Sequence, residues 1–230
     1  MGAPIVSHMH RIALIFDLDG TLVDSLPDLQ AALNEMLHGL DRRLLTAAEV
    51  REMIGDGTRA LVKRALAATY NRETEPIVDF EAAHQKFLET YEAAPAKLSR
   101  LYPGVGATLY ALREAGARLA ICTNKPQAGT LGVLDGFGIR DYFSVVLGGD
   151  MVEFRKPDPR HLLATIDQLG AATTNAVMIG DNENDYAAAR AAAIPVVLMR
   201  YGYLRVRPET LSPDAWLDNF ADIPRTIATL

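Results

Sequence analysis

The side chains best suited to chemistry fall in four short clusters, each placed after an apolar segment or beside a proline. They are Asp17, Asp19, Thr123, Asn124, Lys156, Asp181 and Asp185. Carboxylates bind hard cations such as Mg²⁺ through oxygen, whereas ammonium, hydroxyl and backbone N–H groups neutralise phosphate oxygens. A set containing all of these groups predicts phosphoryl transfer with Mg²⁺ as the cofactor.

The spacing of the two aspartates in the first cluster suggests a division of roles between them. Asp17 and Asp19 are two residues apart, so in an extended segment both side chains point to the same side. One carboxylate can attack phosphorus and form an aspartyl-phosphate, and the other can protonate the leaving oxygen and later activate water. Gly20 and Thr21 then turn the chain, and we expect their N–H groups to be free to bind an anion.

Alternating apolar and amphipathic segments indicate the elements that must position these residues. Short apolar runs without polar alternation are typical of strands buried on both faces of a parallel sheet. The predicted strands cover 11–16, 118–122, 145–147, 176–179 and 196–199, and the predicted helices cover 105–115, 127–134, 159–169, 185–193 and 217–230. This order predicts an α/β fold, a Rossmann-like parallel-sheet core with the polar clusters at the carboxyl edge of the sheet.

Between the first two strands the pattern is helical throughout, and it is far longer than an ordinary βα connection. We predict an inserted α-helical cap domain at residues 26–96, with the core domain formed by residues 10–25 and 97–230. The chain would enter the cap near Asp24 and leave it near Tyr102. Thr46 and Glu49 have the spacing of a capping box and predict a helix start inside the cap. The insert is therefore a candidate lid.

Composition narrows the remaining possibilities. The 230 residues include 23 Lys+Arg and 29 Asp+Glu, a net charge of −6, and one cysteine, Cys122. An acidic surface argues against nucleic acid and anionic membranes as partners, and a single cysteine argues against a disulfide framework. No apolar run approaches the roughly 20 residues that span a bilayer. We expect a cytoplasmic protein, monomeric or homodimeric, and we leave residues 1–8 out of the fold because they look like an added leader rather than a targeting signal.

At these residues the sequence resembles the haloacid dehalogenase superfamily of phosphohydrolases. Residues 17–25 (DLDGTLVDS) match its first motif, Thr123 its second, Lys156-Pro157 its third, and the pair Asp181 and Asp185 its fourth. The order of the four motifs also agrees. Further segments are similar to the phosphoglycolate phosphatase branch of that superfamily: 54–57 (IGDG), 101–105 (LYPGV), 122–126 (CTNKP) and 148–150 (GGD).

The resemblance implies a role for each carboxylate. Asp17 would be the nucleophile and a magnesium ligand. Asp19 would be the general acid and base, with its backbone carbonyl on the metal. Asp181 would complete the magnesium site, and Asp185 would orient Lys156 or a metal-bound water.

The remaining implied roles concern phosphate and substrate. Thr123 and Lys156 would hold the transferring phosphoryl group, with help from the Asn124 N–H, while the helical cap closes over a small phosphorylated metabolite. Apart from the resemblance, a dense cluster of charged residues follows the glycine turn of the cap, and Arg59 or Arg64 in it would meet the carboxylate of an acidic substrate, the alternative being a solvated helix face. Lys125 is interpreted as a charge on the rim.

Several activities remain open at this point. The resemblance favours a Mg²⁺-dependent phosphomonoester hydrolase, with 2-phosphoglycolate as the leading substrate. The alternatives are a sugar-phosphate mutase similar to β-phosphoglucomutase, which returns the phosphoryl group to its substrate, and a phosphatase of broad specificity. Dehalogenation is disfavoured, because a halide leaving group has no need of an acid such as Asp19.

Overall fold

The computed structural model describes residues 12–70 and 78–230. Residues 1–8, which were left out of the predicted fold, and the first residue of the predicted strand 11–16 lie outside the described residues, as does the cap segment 71–77. The strands are β1 (Ala13–Phe16), β2 (Val23–Asp24), β3 (Arg100–Leu101), β4 (Arg118–Cys122), β5 (Val145–Leu147), β6 (Ala176–Gly180), β7 (Val196–Met199) and β8 (Ala215–Leu217). The α-helices are α1 (Leu26–His38), α2 (Ala47–Arg51), α3 (Thr58–Ala68), α4 (Phe80–Glu92), α5 (Val105–Glu114), α6 (Gln127–Gly136), α7 (Pro159–Gln168), α8 (Glu183–Ala191) and α9 (Ile223–Ile227).

Six strands form one parallel sheet in the order β5-β4-β1-β6-β7-β8. β1 lies inside the sheet, with Ile15 opposite Ala120 on one side and Met178 on the other. All four residues of β1 are buried, which explains why its sequence shows no polar alternation. The predicted α/β fold with a Rossmann-like parallel core is confirmed.

Helices cover both faces of the sheet and bury two apolar layers. Leu14 and Phe16 of β1 face one layer, and Ala13 and Ile15 face the other. This double cover leaves the carboxyl edge of the sheet as the place where polar loops converge.

The end of the chain differs from its prediction. Residues 217–230 were expected to be helical, but Ala215–Leu217 forms the sixth strand, β8, and the helix is confined to Ile223–Ile227. A three-residue strand is too short to produce a periodic signal. Its pairing with β7, where Leu198 lies opposite Trp216, is decided by the sheet edge that β7 offers.

The described residues of the inserted segment include four α-helices, α1 to α4, which pack around an apolar cluster that includes Leu33, Val62 and Phe87. The capping box at the start of α2 is present, with Thr46 and Glu49 bonding each other's backbone N–H. The two crossings between cap and core run side by side, because β2 and β3 pair as an antiparallel ribbon in which Val23 lies opposite Leu101.

None of the helices in the described part of the chain is long and apolar enough to cross a bilayer.

Candidate active site

The carboxyl edge of the sheet brings the predicted side chains together. Asp17 follows β1, Thr123 follows β4 and Asp181 follows β6, while Lys156 reaches the same point from the loop after β5. The Lys156 ammonium lies 3.1 Å from Oδ1 of Asp17 and 2.6 Å from Oδ1 of Asp185. Although burial opposes it, the charge of these two carboxylates raises the pKa of Lys156 above its usual range, so the ammonium stays charged.

Asp17, Asp181 and Asp185 form a buried carboxylate triad in which one oxygen of each residue lies within 4.8 Å of one oxygen of each of the others. Burial, reinforced by the neighbouring carboxylates, raises the pKa of Asp17 to about 6 despite the opposing effect of Lys156. Burial, together with the charges of Asp185 and Asp17, also raises the pKa of Asp181. One ammonium for three carboxylates leaves an excess of two negative charges, which a divalent cation would neutralise. The donor set of this triad therefore fits a metal that prefers oxygen ligands.

Asp181 is held rigidly by its surroundings. Its Oδ2 accepts the N–H of Tyr203 at 2.6 Å, and its Oδ1 accepts the Thr21 hydroxyl at 3.1 Å. A Cβ added at Gly20 would lie 2.3 Å from Oδ2 of Asp181, and one added at Gly202 would lie 2.1 Å from its Cβ. The glycines at these positions therefore let the two loops close tightly around the carboxylate.

The turn after Asp19 does not provide the free anion-binding amides that were expected. The Gly20 N–H donates to the carbonyl of Val23 at 2.8 Å, and the Thr21 N–H donates to that of Leu18 at 3.3 Å. Both N–H groups therefore donate within the turn itself and are not free to bind an anion. Thr21 contributes instead through its hydroxyl, which supports Asp181.

Asp17 is oriented by bonds to one of its oxygens. Oδ1 accepts the Leu18 N–H at 2.7 Å and lies 3.1 Å from the Lys156 ammonium. Oδ2 accepts no hydrogen bond from any of the described residues. A carboxylate fixed through one oxygen leaves the other available to attack phosphorus or to bind a cation.

Lys125, interpreted from the sequence as a rim charge, is buried, so that interpretation is wrong. Its ammonium lies 3.1 and 3.0 Å from the two carboxylate oxygens of Asp19 and also donates to the hydroxyl of Tyr91. Tyr91 belongs to cap helix α4, and the other two residues belong to the core. The position of Lys125 directly after Thr123-Asn124 was the available signal, whereas Tyr91 could be read only as one of the apolar positions on a cap helix.

Asn124 joins three segments around the site. Its amide nitrogen donates to the carbonyl of Lys156 at 2.8 Å and to the carbonyl of Gly55, in the cap, at 2.9 Å. A Cβ at Gly57 would lie 2.9 Å from the Asn124 carbonyl oxygen, so the cap loop 55–57 rests directly on the core. Thr123 is two per cent exposed, and its hydroxyl orients the core loop 123–125 by accepting the Lys125 N–H at 3.3 Å.

A second link between cap and core centres on Asp56. Its carboxylate accepts hydrogen bonds from Asn184 at 2.6 Å and from Arg205, both in the core, and from Arg64 in the cap. Burial raises the pKa of Asp56, but the three donors outweigh it and hold the pKa below its usual range. Arg205 was not predicted, because it follows the last motif in a loop without a recognisable pattern.

A small cavity of about 30 Å³ lies between the cap and the core. Its core side is polar, and its cap side is formed by apolar side chains, glycines and Thr58. The lining residues are Asp17, Asp19, Leu29, Ile54, Gly55, Gly57, Thr58, Leu61, Thr123, Asn124 and Lys125.

Arg59 and Arg64, the predicted partners of a substrate carboxylate, are not among the residues that line this cavity. Arg59 makes two hydrogen bonds to the exposed Glu81, at 2.6 and 2.8 Å. Arg64 is turned toward Asp56 and the Met53 carbonyl. Each guanidinium is therefore paired with a carboxylate of the cap.

A parallel α/β sheet whose strand ends gather carboxylates and a lysine beneath a helical cap defines a class of capped phosphoryl-transfer enzymes. Comparison with known proteins agrees, since the sequence model of the haloacid dehalogenase-like hydrolases matches residues 14–199. The chain belongs to this family, and the expectation of an enzyme of the phosphatase class is confirmed.

Individual relatives match over most of their length. The chain is 41% identical to a phosphoglycolate phosphatase of Agrobacterium fabrum, covering 90% of this chain and 88% of the relative. It is 43% identical to a phosphoglycolate phosphatase of Rhodospirillum rubrum, over 92% and 88%. A crystal structure of a predicted phosphoglycolate phosphatase from Haemophilus somnus superposes with a TM-score of 0.89 at 34% identity, over 94% of this chain and 97% of that one.

Proposed function

We propose that the protein is a Mg²⁺-dependent phosphomonoester hydrolase that acts through an aspartyl-phosphate and takes 2-phosphoglycolate as its substrate. The observation that carries this proposal is the hydrogen bonding of the two carboxylate oxygens of Asp17. One of its oxygens is anchored by Leu18 and Lys156, and the other accepts no hydrogen bond among the described residues. Asp17 and Asp19 both line the cavity.

In the first step, Oδ2 of Asp17 attacks phosphorus. The bond between phosphorus and the ester oxygen breaks with its electron pair on that oxygen, which takes a proton from Asp19. Lys156 and the Thr123 hydroxyl neutralise charge on the phosphoryl oxygens. The products are the alcohol, here glycolate, and phosphorylated Asp17.

In the second step, water attacks the phosphorus of the aspartyl-phosphate. Asp19 accepts a proton from that water, the bond between phosphorus and Asp17 breaks, and inorganic phosphate and the free carboxylate are released. The same residue therefore gives a proton in one step and takes one in the next. The closed cap would keep bulk water away until the first product leaves.

Asp17, Asp181 and the backbone carbonyl of Asp19 would hold the metal. A bound divalent cation would neutralise negative charge on the phosphoryl group and on the carboxylates around it. Asp185 is better suited to a supporting role. Its Oδ1 is taken by Lys156, and its Oδ2 accepts the N–H groups of Asp181 and Asn182 at 3.1 and 3.3 Å.

The cavity argues against a large substrate. Its volume of about 30 Å³ is far below the roughly 300–1,000 Å³ of pockets that hold drug-sized ligands. The names of the relatives point to phosphoglycolate. We propose that the carboxylate end of this substrate meets Thr58 and the first turn of α3, whose backbone N–H groups lack helical partners.

A sugar-phosphate mutase is the less favoured reading. Such an enzyme must hold a bisphosphate, with one phosphate at the nucleophile and a second against the cap. A second phosphate calls for a cationic partner, and within the described residues the cap contributes no basic side chain to the lining. A hydrolase requires no such partner.

The decisive experiment measures phosphate released from a panel of small phosphomonoesters, with and without Mg²⁺, by the native protein and by Asp17→Asn. The panel contains 2-phosphoglycolate, hexose and pentose phosphates and p-nitrophenyl phosphate. Asp167→Asn is the matched control, because Asp167 is exposed near the C-terminal end of α7, whereas the carboxyl ends of the strands face its N-terminal end. We expect Mg²⁺-dependent hydrolysis that favours 2-phosphoglycolate, is abolished in Asp17→Asn and is retained in the control.

Other outcomes would revise the proposal in different ways. Weak hydrolysis of many esters that still depends on Asp17 would retain the mechanism and remove the substrate assignment. An isomerised sugar phosphate without free phosphate would replace hydrolase by mutase. Turnover that survives removal of divalent metal by EDTA would contradict the magnesium assignment.

A further inference from the structure

One buried lysine links a hydroxyl of the cap to the carboxylate of Asp19. The Lys125 ammonium lies about equally far from both oxygens of Asp19, at 3.1 and 3.0 Å, and donates in addition to the Tyr91 hydroxyl. Lys125 and Tyr91 are four and three per cent exposed. A buried ammonium needs acceptors for its protons, and Asp19 and Tyr91 are the ones supplied here.

Tyr91 is itself held rigidly by the cap. Its ring stacks on Phe87 with centroids 5.8 Å apart and an angle of 5° between the ring planes. The Lys125 ammonium also lies 4.5 Å from the centre of the Tyr91 ring, within the range of a cation–π contact. Burial raises the pKa of Tyr91 to about 12, so its hydroxyl is neutral near pH 7.

The three residues come from different parts of the molecule. Asp19 and Lys125 belong to the core, whereas Tyr91 is in the last turn of cap helix α4. Moving the cap away would remove one acceptor and the aromatic cover from Lys125 and admit water to the ammonium. An ion pair in water is much weaker than one that is buried, so Asp19 would lose its fixed position.

We propose that Tyr91 is a positioning residue of the cap, which acts through Lys125 to hold Asp19 in place for proton transfer only while the cap is closed. This inference rests on the proposed function, because it assumes that Asp19 protonates the ester oxygen. It adds a cap residue to the catalytic arrangement and makes the proton donor depend on closure of the cap.

The test uses two esters that differ in their need for an acid. The alkoxide leaving from 2-phosphoglycolate requires a proton, whereas p-nitrophenolate is a good leaving group without one. For each ester, kcat/KM reports the steps up to the first bond cleavage. We expect Tyr91→Phe to lower kcat/KM about tenfold for 2-phosphoglycolate and less than twofold for p-nitrophenyl phosphate.

Three further variants separate positioning from packing. Lys125→Met removes the ammonium at similar length, and adding Tyr91→Phe to it should change kcat/KM for 2-phosphoglycolate less than twofold, because the intermediary is already absent. Phe87→Leu disturbs the same helix and should affect both esters equally. Tyr110→Phe removes a hydroxyl from an exposed tyrosine on α5 and should have no effect. Thermal unfolding of every variant checks that it is folded.

The outcomes distinguish this inference from the proposed function. If the native protein releases no phosphate from either ester, the proposed function fails and the inference fails with it. If the native protein is active and depends on Asp17, but Tyr91→Phe affects both esters equally or neither, only the inference is overturned. Additive losses in the double variant would overturn it too. If Tyr91→Phe does not fold, Lys125→Met decides, since equal loss on both esters would exclude the route through Lys125.

Discussion

The ammonium of Lys156 lies 2.6 Å from Oδ1 of Asp185, and both side chains are buried. Asp185 also accepts the N–H of Asp181 on its second oxygen, so one carboxylate ties the lysine to the loop that carries Asp181, a proposed metal ligand. It thereby orients two functional groups without facing the cavity. The consequences of this arrangement can be measured.

Asp185→Asn should lower kcat about 10–100-fold, because residues that orient metal-site or catalytic groups have effects of that size. Lys156 keeps Asp17 as a partner, so the protein should remain folded. Steady-state kinetics and thermal unfolding measure the two effects, with Asp167→Asn as the control. A kcat within twofold of the native value would show that Asp185 does not orient Lys156 for catalysis.

The raised pKa of Asp17 predicts how stability depends on pH. Its carboxyl titrates near 6 in the folded protein and near 3.8 when unperturbed. The folded state therefore binds this proton more tightly, and the resulting stability is fully present below about pH 4 and lost as the pH rises through 6. Mg²⁺ competes with the proton, so it should raise the unfolding midpoint more at pH 8 than at pH 5.

Unfolding midpoints in EDTA and in Mg²⁺ at the two pH values test this prediction. In Asp17→Asn, the difference between the two pH values should shrink, because the titrating carboxyl is gone. An equal effect of Mg²⁺ at pH 5 and pH 8 in the native protein would show that the metal does not compete for a proton at this site.

The contact between Asp56 and the core should help to keep the cap closed. Asp56→Ala removes the acceptor shared by Arg205 and Asn184, and we expect kcat/KM to fall about tenfold, roughly the effect of losing one hydrogen bond to a charged group. Hydrogen exchange at residues 55–57 should become faster as the loop leaves the core. Glu81→Gln, which breaks an exposed ion pair on the same cap, is the control.

The cap contact would be unimportant for closure if Asp56→Ala behaved like Glu81→Gln in both measurements. Faster exchange without a change in kcat/KM would show that the loop is released but that closure does not limit turnover.

Arg59→Ala should change KM for 2-phosphoglycolate less than twofold. The guanidinium is paired with Glu81 on the outside of the cap, and its side chain is 51% exposed. Thr58, one residue earlier, lines the cavity, and its hydroxyl lies 3.0 Å from Nε2 of His84. Thr58→Val removes this hydroxyl and should raise KM about fivefold, on the order of one hydrogen bond. A large KM effect in Arg59→Ala alone would return the substrate carboxylate to the arginine.

The core of the fold and most of its polar edge follow from local sequence. β1 and β4 are continuous apolar runs that end at Asp17 and Thr123, and the rule that ligands lie beyond the carboxyl ends of parallel strands brings those ends together. The cap is equally evident, since its helices have strong periodicity and one carries a capping box. In each case the signal lies within a few residues of the feature that it predicts.

Contacts between distant segments were decided only by the tertiary structure. Tyr91 and Lys125 are 34 residues apart, and Asp56 and Arg205 are 149 apart, so nothing in either neighbourhood marks the partner. The same holds for β8, whose three residues are a strand only because β7 offers them a free edge. The hydrogen bonding of the turn at Gly20 and Thr21 was also visible only in the structure, where both N–H groups donate to carbonyls of the turn itself.

Residue types and spacing therefore determined the chemistry available to this protein: two carboxylates after a buried strand, a hydroxyl, a lysine and a further carboxylate pair. The tertiary structure decided which charges neutralise one another and which remain for a ligand. Lys125 pairs with Asp19, and Lys156 is shared between Asp17 and Asp185. Arg59 and Arg64 pair with Glu81 and Asp56 and do not line the cavity. The physical reason is that charge pairing depends on distance and burial, which only the folded chain sets.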